Sequence, residues 1–289
     1  MDKEAELSVI RRAFAKQVMA AGGVSDARVE AAFASVKRED YLGPGPWPMS
    51  RISGYALTPD ADPVYLYADV LIGIVPERNL NNGMPSYHAP LLASAAMREG
   101  EHVVHIGAGV GYYTAIMAQL VGPAGKVTAI EFDADLASRA AANFASCPNV
   151  RVIHGDGANI DFDIADVIYV NAGATRPAER WLDGLNEGGR LILPLTRKKW
   201  TEGNVRHGRV FRIERGGNEY FARALSGVAV FPCEGGRDEA SEAALGAAIE
   251  NDAANQSEGW KRVTRLYRDQ DIPADRCWLR APDWALAYD

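Results

Sequence analysis

His105-Ile106-Gly107-Ala108-Gly109-Val110-Gly111-Tyr112 decides the fold. The apolar pair Val103-Val104 stands behind it and a helix-like segment ahead, so the stretch reads as a strand, a glycine turn and a helix start. Glycines at 107, 109 and 111 let the backbone turn sharply and approach a ligand closely. The helix that follows points free N–H groups into the same crevice. Position 112, which would complete the dinucleotide fingerprint, is Tyr rather than Gly. That disfavours a pyrophosphate and favours S-adenosylmethionine, whose binding turn commonly ends at the third glycine.

Two carboxylates follow at fitting distances. Lys126-Val127-Thr128-Ala129-Ile130-Glu131 reads as a second strand ending in an acid about twenty residues on, where a side chain can accept both hydrogen bonds of a ribose diol. Gly155-Asp156-Gly157 closes a third apolar run, Val150 to Ile153, and Asp156 suits the adenine amino group. Taken singly, Glu131 is a solvated strand end and Asp156 an Asp-Gly turn residue bonding its own backbone. Taken with the turn and the strand rhythm, they line one crevice at the carboxyl ends of a doubly wound sheet.

Outward from this core, Glu4 to Ala21 has helical periodicity and stops at Gly22-Gly23, and Ser25-Asp26 opens a second helix to about Val36. Residues 43 to 63, with Gly43-Pro44-Gly45-Pro46-Trp47-Pro48, read as an extended loop able to cover a site. A helix is expected from Pro90 to Met97, then strands at Ile168-Tyr169-Val170-Asn171 and Arg190-Leu191-Ile192-Leu193-Pro194. Arg209 to Ile213 and Tyr220 to Val230 form a late antiparallel pair around Gly216-Gly217. The fold class is α/β: a doubly wound Rossmann-like sheet, mostly parallel, with that antiparallel pair, N-terminal helices and a C-terminal extension. Three regions are expected: 1–80 with the helices and a substrate-side loop, 81–235 as the cofactor-binding core, and 236–289 as an extension. The extension begins helical and carries Cys277-Trp278-Leu279 and Trp284-Ala285-Leu286, too apolar for a free tail.

A net charge of −7 and the lack of a dense Lys/Arg stripe argue against nucleic acid as a partner. Arg197-Lys198-Lys199-Trp200 reads as a solvated loop. Cys147, Cys233 and Cys277 lie far apart without metal-ligand spacing, which predicts no metal site, no disulfide framework and a reducing cytoplasm. The first residues carry acids and no run approaches the ~20 apolar residues of a membrane span, so a soluble chain with no membrane association is expected.

Residues 29 to 235 resemble the protein-L-isoaspartate O-methyltransferases. Val29-Glu30-Ala31-Ala32-Phe33 through Val36-Lys37-Arg38-Glu39-Asp40-Tyr41-Leu42 is similar to that family's N-terminal helix and its Pro-Arg-Glu-x-Phe-type segment. Tyr67-Ala68-Asp69 and Ile72-Gly73 resemble the stretch leading to its substrate loop. Ile168 to Asn171, Pro177 and Leu185-Asn186-Glu187-Gly188-Gly189-Arg190-Leu191-Ile192-Leu193-Pro194 resemble its fourth strand and Gly-Gly-Arg segment, and Val228 to Pro232 its closing strand.

The resemblance implies an S-adenosylmethionine-dependent methyltransferase of carboxylate acceptors, isoaspartyl or related. A different small-molecule or peptide acceptor, or a noncatalytic cofactor-binding interaction protein, stands as the alternative. Cofactor contacts are expected at His105, Gly107, Gly109, Gly111, Glu131, Asp156 and Gly157. The substrate loop, Thr-Ile-Ser-Gln-Pro in the family, here reads Asn81-Asn82-Gly83-Met84-Pro85, so Gly83 stands where the family has serine and Met84 where it has glutamine. His105 stands where the family usually has glutamate.

Methyl transfer to a carboxylate rests on alignment and a water-poor pocket, without an obligatory base. For a hydroxyl or amine acceptor, His88 is the candidate base, set against a helix-start histidine capping backbone. Ser86 is either a displaced hydroxyl or the cap of the next helix. Tyr112 and Tyr113 either wall the cofactor pocket or pack, and His154 reads as a buried strand-end residue.

Overall fold

The computed structural model describes residues 2–52, 54–197, 208–269 and 271–289. In chain order its elements begin with α1 (Lys3–Ala21), α2 (Ala27–Ser35), α3 (Glu39–Leu42), β1 (Pro48–Arg51), β2 (Gly54–Leu57), β3 (Gly73–Val75), β4 (Leu80–Asn81) and α4 (Pro85–Ala95). There follow β5 (His102–Ile106), α5 (Tyr112–Val121), β6 (Lys126–Glu131), α6 (Ala134–Asn143), β7 (Val150–His154), β8 (Ala165–Val170) and α7 (Glu179–Asp183). The last are β9 (Leu185–Thr196), β10 (Gly208–Gly216), β11 (Glu219–Val228), α8 (Glu239–Ala254), β12 (Arg265–Arg268), β13 (Cys277–Arg280) and β14 (Trp284–Ala287). They fall into two compact units, 1–101 with 108–154, and 102–107 with 155–289. β4 spans positions 80 and 81, and residues 236–289 lie within the second unit.

In the first unit, α2 starts where Asp26 caps it, accepting from the amides of Arg28 and Val29. The 43–63 stretch departs from the expected loop: β1 and β2 form an antiparallel hairpin with Pro48 opposite Leu57. Proline is tolerated there as the first residue of its strand. Trp47 and Thr58 close the hairpin with reciprocal bonds, Trp47 N to Thr58 Oγ1 at 3.0 Å and Thr58 N to Trp47 O at 2.9 Å. Leu42, Trp47, Met49, Leu66 and Ile72 bury against Val110 and Leu136, which binds this stretch to the glycine turn and to α6. Full burial of such side chains contributes roughly 1.5–3 kcal/mol each.

Helix α4 starts five residues earlier than expected. Pro85 occupies its first turn, where a missing N–H costs nothing, and Pro90 lies inside it. A Cβ on Gly22, the residue that ends α1, would lie 2.8 Å from Ser86 O, the carbonyl that the missing amide of Pro90 would otherwise engage. β6 and β7 pair in parallel, and His154 at the end of β7 is exposed rather than buried, its Nε2 3.1 Å from Phe132 O.

The second unit's strands lie in the order β13-β14-β12-β11-β10-β9-β8-β5. β5, β8 and β9 run parallel, whereas β9 through β14 pair antiparallel. The antiparallel part is thus longer than one pair. The tail supplies it: β12 adds to β11 through Tyr220 opposite Leu266, and Trp278, Leu279, Trp284 and Leu286 are buried. Asp252 fastens this region, accepting from Ser257 Oγ at 2.8 Å, Gly259 N at 2.9 Å and Trp278 Nε1 at 2.9 Å. Of the Arg197 to Trp200 run, only Arg197 is among the described residues, and it pairs with Glu250 at 2.6 Å.

Candidate functional site

The glycine turn has the backbone that its residues demand. Gly107, Gly109 and Gly111 lie at φ 74°, 57° and 99°, in the left-handed region where a side chain is strained. Glu131, 8% exposed at the end of β6, fixes the turn. Its Oε2 accepts from Gly109 N at 2.6 Å and its Oε1 from Asp133 N at 2.9 Å. Each oxygen keeps a further lone pair, so the carboxylate can hold the turn and still accept from a diol. Arg78 reaches Asp133 at 2.6 Å, while Asp133 caps α6 through the amides of Asp135 and Leu136. The pair Arg78–Asp133 was not foreseen. Only the capping half is readable, as an Asp just ahead of a helical run.

The substrate-loop residues lie in the same unit. Gly83 has φ 74°, and a Cβ added there would lie 2.5 Å from His88 Nε2. The imidazole of His88 therefore fills the space that the family's serine side chain would enter. It stacks on Tyr113 at a 3.8 Å centroid distance, and the Tyr113 hydroxyl donates to Gly83 O at 3.1 Å. Ser86 is not the cap of α4, whose cap position is Met84 without a side-chain bond. Instead the Ser86 amide donates to Asp69 Oδ1 at 2.9 Å, which places a carboxylate at the positive end of the helix. Met84 is 38% exposed and Pro85 is buried.

In the same unit, Arg38 is fully buried. It donates to the carbonyls of Leu66, Ala68 and Val70 and lies between the rings of Phe14 and Tyr112 at 5.5 and 5.4 Å. The Arg-Glu segment noted in the sequence thus holds the backbone that leads to Asp69. The hydroxyl of Tyr112 is buried without a hydrogen-bond partner, and burial raises its pKa.

In the second unit, His105 is fully enclosed on a sheet face beside Tyr169, 5.7 Å between rings. Burial pushes its pKa down to about 3, so the ring is neutral at physiological pH and cannot replace the family's carboxylate charge. Asn171 Nδ2 donates to Gly107 O at 3.3 Å, and Trp181 Nε1 to Gly157 O at 2.7 Å. Asp156 makes the turn its sequence suggested, accepting from Ala158 N at 2.9 Å and Asn159 Nδ2 at 2.6 Å.

A strap unforeseen in the sequence covers it. A Cβ on Gly235 would collide with the Asp156 carboxylate, so only glycine permits this approach. The strap is tied down by Gly173 N to Phe231 O, Cys233 N to Gly173 O and Thr175 N to Gly236 O, at 2.6, 3.0 and 2.9 Å. The paired glycines at 235 and 236 were its one visible sign.

Residues 11–222 match the family model described as protein-L-isoaspartate(D-aspartate) O-methyltransferase (PCMT). The chain belongs to this family. It is 30% identical over 182 residues to the protein-L-isoaspartate O-methyltransferase of Thermotoga maritima, covering 61% of this chain and 52% of that one. To the Methanothermobacter thermautotrophicus enzyme of the same name it is 28% identical over 230 residues, covering 78% and 95%. The chain spans about half the length of several curated relatives that it matches. In fold it resembles a β-aspartate methyltransferase (PCMT) from Plasmodium falciparum in complex with S-adenosyl-L-homocysteine, with TM-score 0.60, 20% identity, and 77% and 97% coverage. The α/β class, with parallel strands followed by antiparallel ones, is that of these Rossmann-like family members.

Proposed function

We propose that the chain is an S-adenosylmethionine-dependent methyltransferase that esterifies a carboxylate acceptor, isoaspartyl or related, in proteins or peptides. Support comes from family membership, from the names that its relatives carry and from the S-adenosyl-L-homocysteine bound in the Plasmodium falciparum structure. The observation that carries the reading is the Gly109–Glu131 bond. It presents a buried carboxylate with spare lone pairs beside a turn whose glycines leave the backbone bare.

Bound in that turn, the cofactor supplies an activated methyl group. Glu131 would accept from the ribose, Gly107, Gly109 and Gly111 would leave backbone bare for the ligand, and Asp156 with Gly157 would serve the adenine end. His105 packs as a neutral group against Tyr169. Gly83, Met84 and Pro85 shape the acceptor side, where His88 and Ser86 are the polar groups at hand. A carboxylate acceptor needs no base to attack. No helix is long and apolar enough to cross a membrane among the described residues.

The test is methyl transfer from labelled S-adenosylmethionine to an isoaspartyl peptide beside its aspartyl twin, read as base-labile methanol. Labelling of the isoaspartyl peptide alone is expected. Absence of labelling by protein that still binds S-adenosylhomocysteine would remove the isoaspartyl acceptor. Gly83→Ser alone is expected to lower activity and stability, because its side chain meets His88 in a left-handed backbone. Adding His88→Ala should recover part of the stability by removing that contact.

A further inference from the structure

One charged feature of the second unit takes no part in that reading. On one face of the sheet, Arg212 of β10 lies directly opposite Arg223 of β11 and, on its other side, Ile192 of β9. Two residues along, Glu214 lies opposite Phe221 and Arg190. Alternation along the strands puts all of these side chains on the same face. Three guanidiniums and one carboxylate therefore share this face. Glu214 answers Arg212 at 2.7 Å, and the charge of Arg190 acts also on Asp166. Arg223 is exposed and has no ion-pair partner among the described residues.

This arrangement costs stability. Like charges directly opposite in a sheet repel. The Arg212 side chain is only 21% exposed and its Nε is buried without a hydrogen-bond partner. Burial, together with the charges of Arg223 and Arg190 and against the pull of Glu214, holds its pKa below the ordinary value. An anion seated between the two guanidiniums would relieve both terms, since the planar fork of each suits a carboxylate.

We propose that the Arg212–Arg223 pair is a docking site for an acidic segment of a polypeptide, one carboxylate of which bridges the two guanidiniums. Three observations choose this occupant. The pair sits where this sheet face meets solvent, Arg223 exposed and Arg212 partly so, while Ile192 and Arg190 further in are buried. Phe221, 44% exposed beside it with Arg265 stacked on its ring at 4.0 Å, offers an apolar contact to a neighbouring side chain. Two guanidiniums are too few for a nucleic acid, whose affinity rests on many phosphate contacts, but they match a single carboxylate.

The experiment is fluorescence anisotropy of the whole protein with a labelled Glu-rich peptide, wild type beside Arg223→Glu, with thermal melts of both. No methyl donor or acceptor enters, so the result is independent of the proposed function. Wild type should bind, more weakly at high salt. Arg223→Glu should lose at least about tenfold in affinity while melting higher, because Arg212 gains a partner across the strands. Failure of the wild type to bind overturns the proposal, as does undiminished binding by the variant. Binding of a single-stranded RNA in place of the peptide, or inorganic phosphate competing as well as the peptide does, overturns the polypeptide assignment.

Discussion

Glu131 and Asp252 are both buried carboxylates that accept from backbone amides, yet they serve opposite ends. Glu131 bonds Gly109 and Asp133 from the end of a strand and keeps lone pairs beside a bare glycine turn. Asp252, 4% exposed at the end of α8, spends its oxygens on Ser257, Gly259 and Trp278, and on Trp260 N at 3.4 Å. One leaves acceptor capacity beside an open backbone turn, and the other closes a packing unit on itself. A buried acid is therefore read by what its remaining valences face, and burial alone does not distinguish the two.

The comparison breaks most visibly at Asp252. Asp252→Ala strands several buried donors and should cost about 3–5 kcal/mol of stability. Affinity for S-adenosylhomocysteine in the protein that remains folded should be unchanged. Denaturant melts and calorimetric titration check this, and a parallel loss of affinity would join the two carboxylates in one function.

Acid sharpens it next, through His105. The folded protein keeps this ring neutral to about pH 3, whereas the unfolded chain protonates it near 6.5. Between those values only the unfolded state gains the proton, so stability falls with falling pH by about 1.4 kcal/mol per unit. Above 6.5 the group contributes no slope. His105→Gln should flatten the acid limb of the melting temperature against pH, and an unaltered limb would place the ring in contact with solvent.

Glu131→Gln comes third. It keeps the shape but gives up charge and one acceptor, so affinity for S-adenosylhomocysteine should fall by roughly ten- to a hundredfold, corresponding to about 1.5–3 kcal/mol for a hydrogen bond to a charged group. Its melting temperature should move less than that of Asp252→Ala. The reverse ranking would make Glu131 a structural acid.

These differences explain what was legible. The glycine turn, Glu131 and Asp156 are announced by local punctuation, because φ above zero demands glycine and strand ends recur at fixed intervals. The α/β alternation is readable for the same reason. The hairpin at 48–57 was not, since Gly and Pro signalled a turn-rich stretch while its pairing rests on Trp47 and Thr58, eleven residues apart. The tail resisted because β12, β13 and β14 are four-residue strands whose direction comes from docking on β11. Pro90 reads as a helix start in the sequence, whereas Pro85 holds that place and Asp69 serves the first turn of α4 from seventeen residues away. The filling of the Gly83 space by His88 is a matter of side-chain packing that no spacing reveals.

The smallest effect belongs to that last contact. Tyr113→Phe removes one neutral bond, from the hydroxyl to Gly83 O, and leaves the ring to stack on His88. A net loss of about 1 kcal/mol is expected, too little to unfold the protein. It should act locally, because that bond ties the substrate loop to the first turn of α5 just beyond the glycine turn. Amide exchange at residues 81–84 should rise several-fold while the β6 and β7 amides stay protected. Unchanged exchange in the loop would mean that Asn81, whose Oδ1 accepts from Gly83 N at 2.9 Å, holds the loop by itself. The open turn that Glu131 holds would then stop short of the acceptor side.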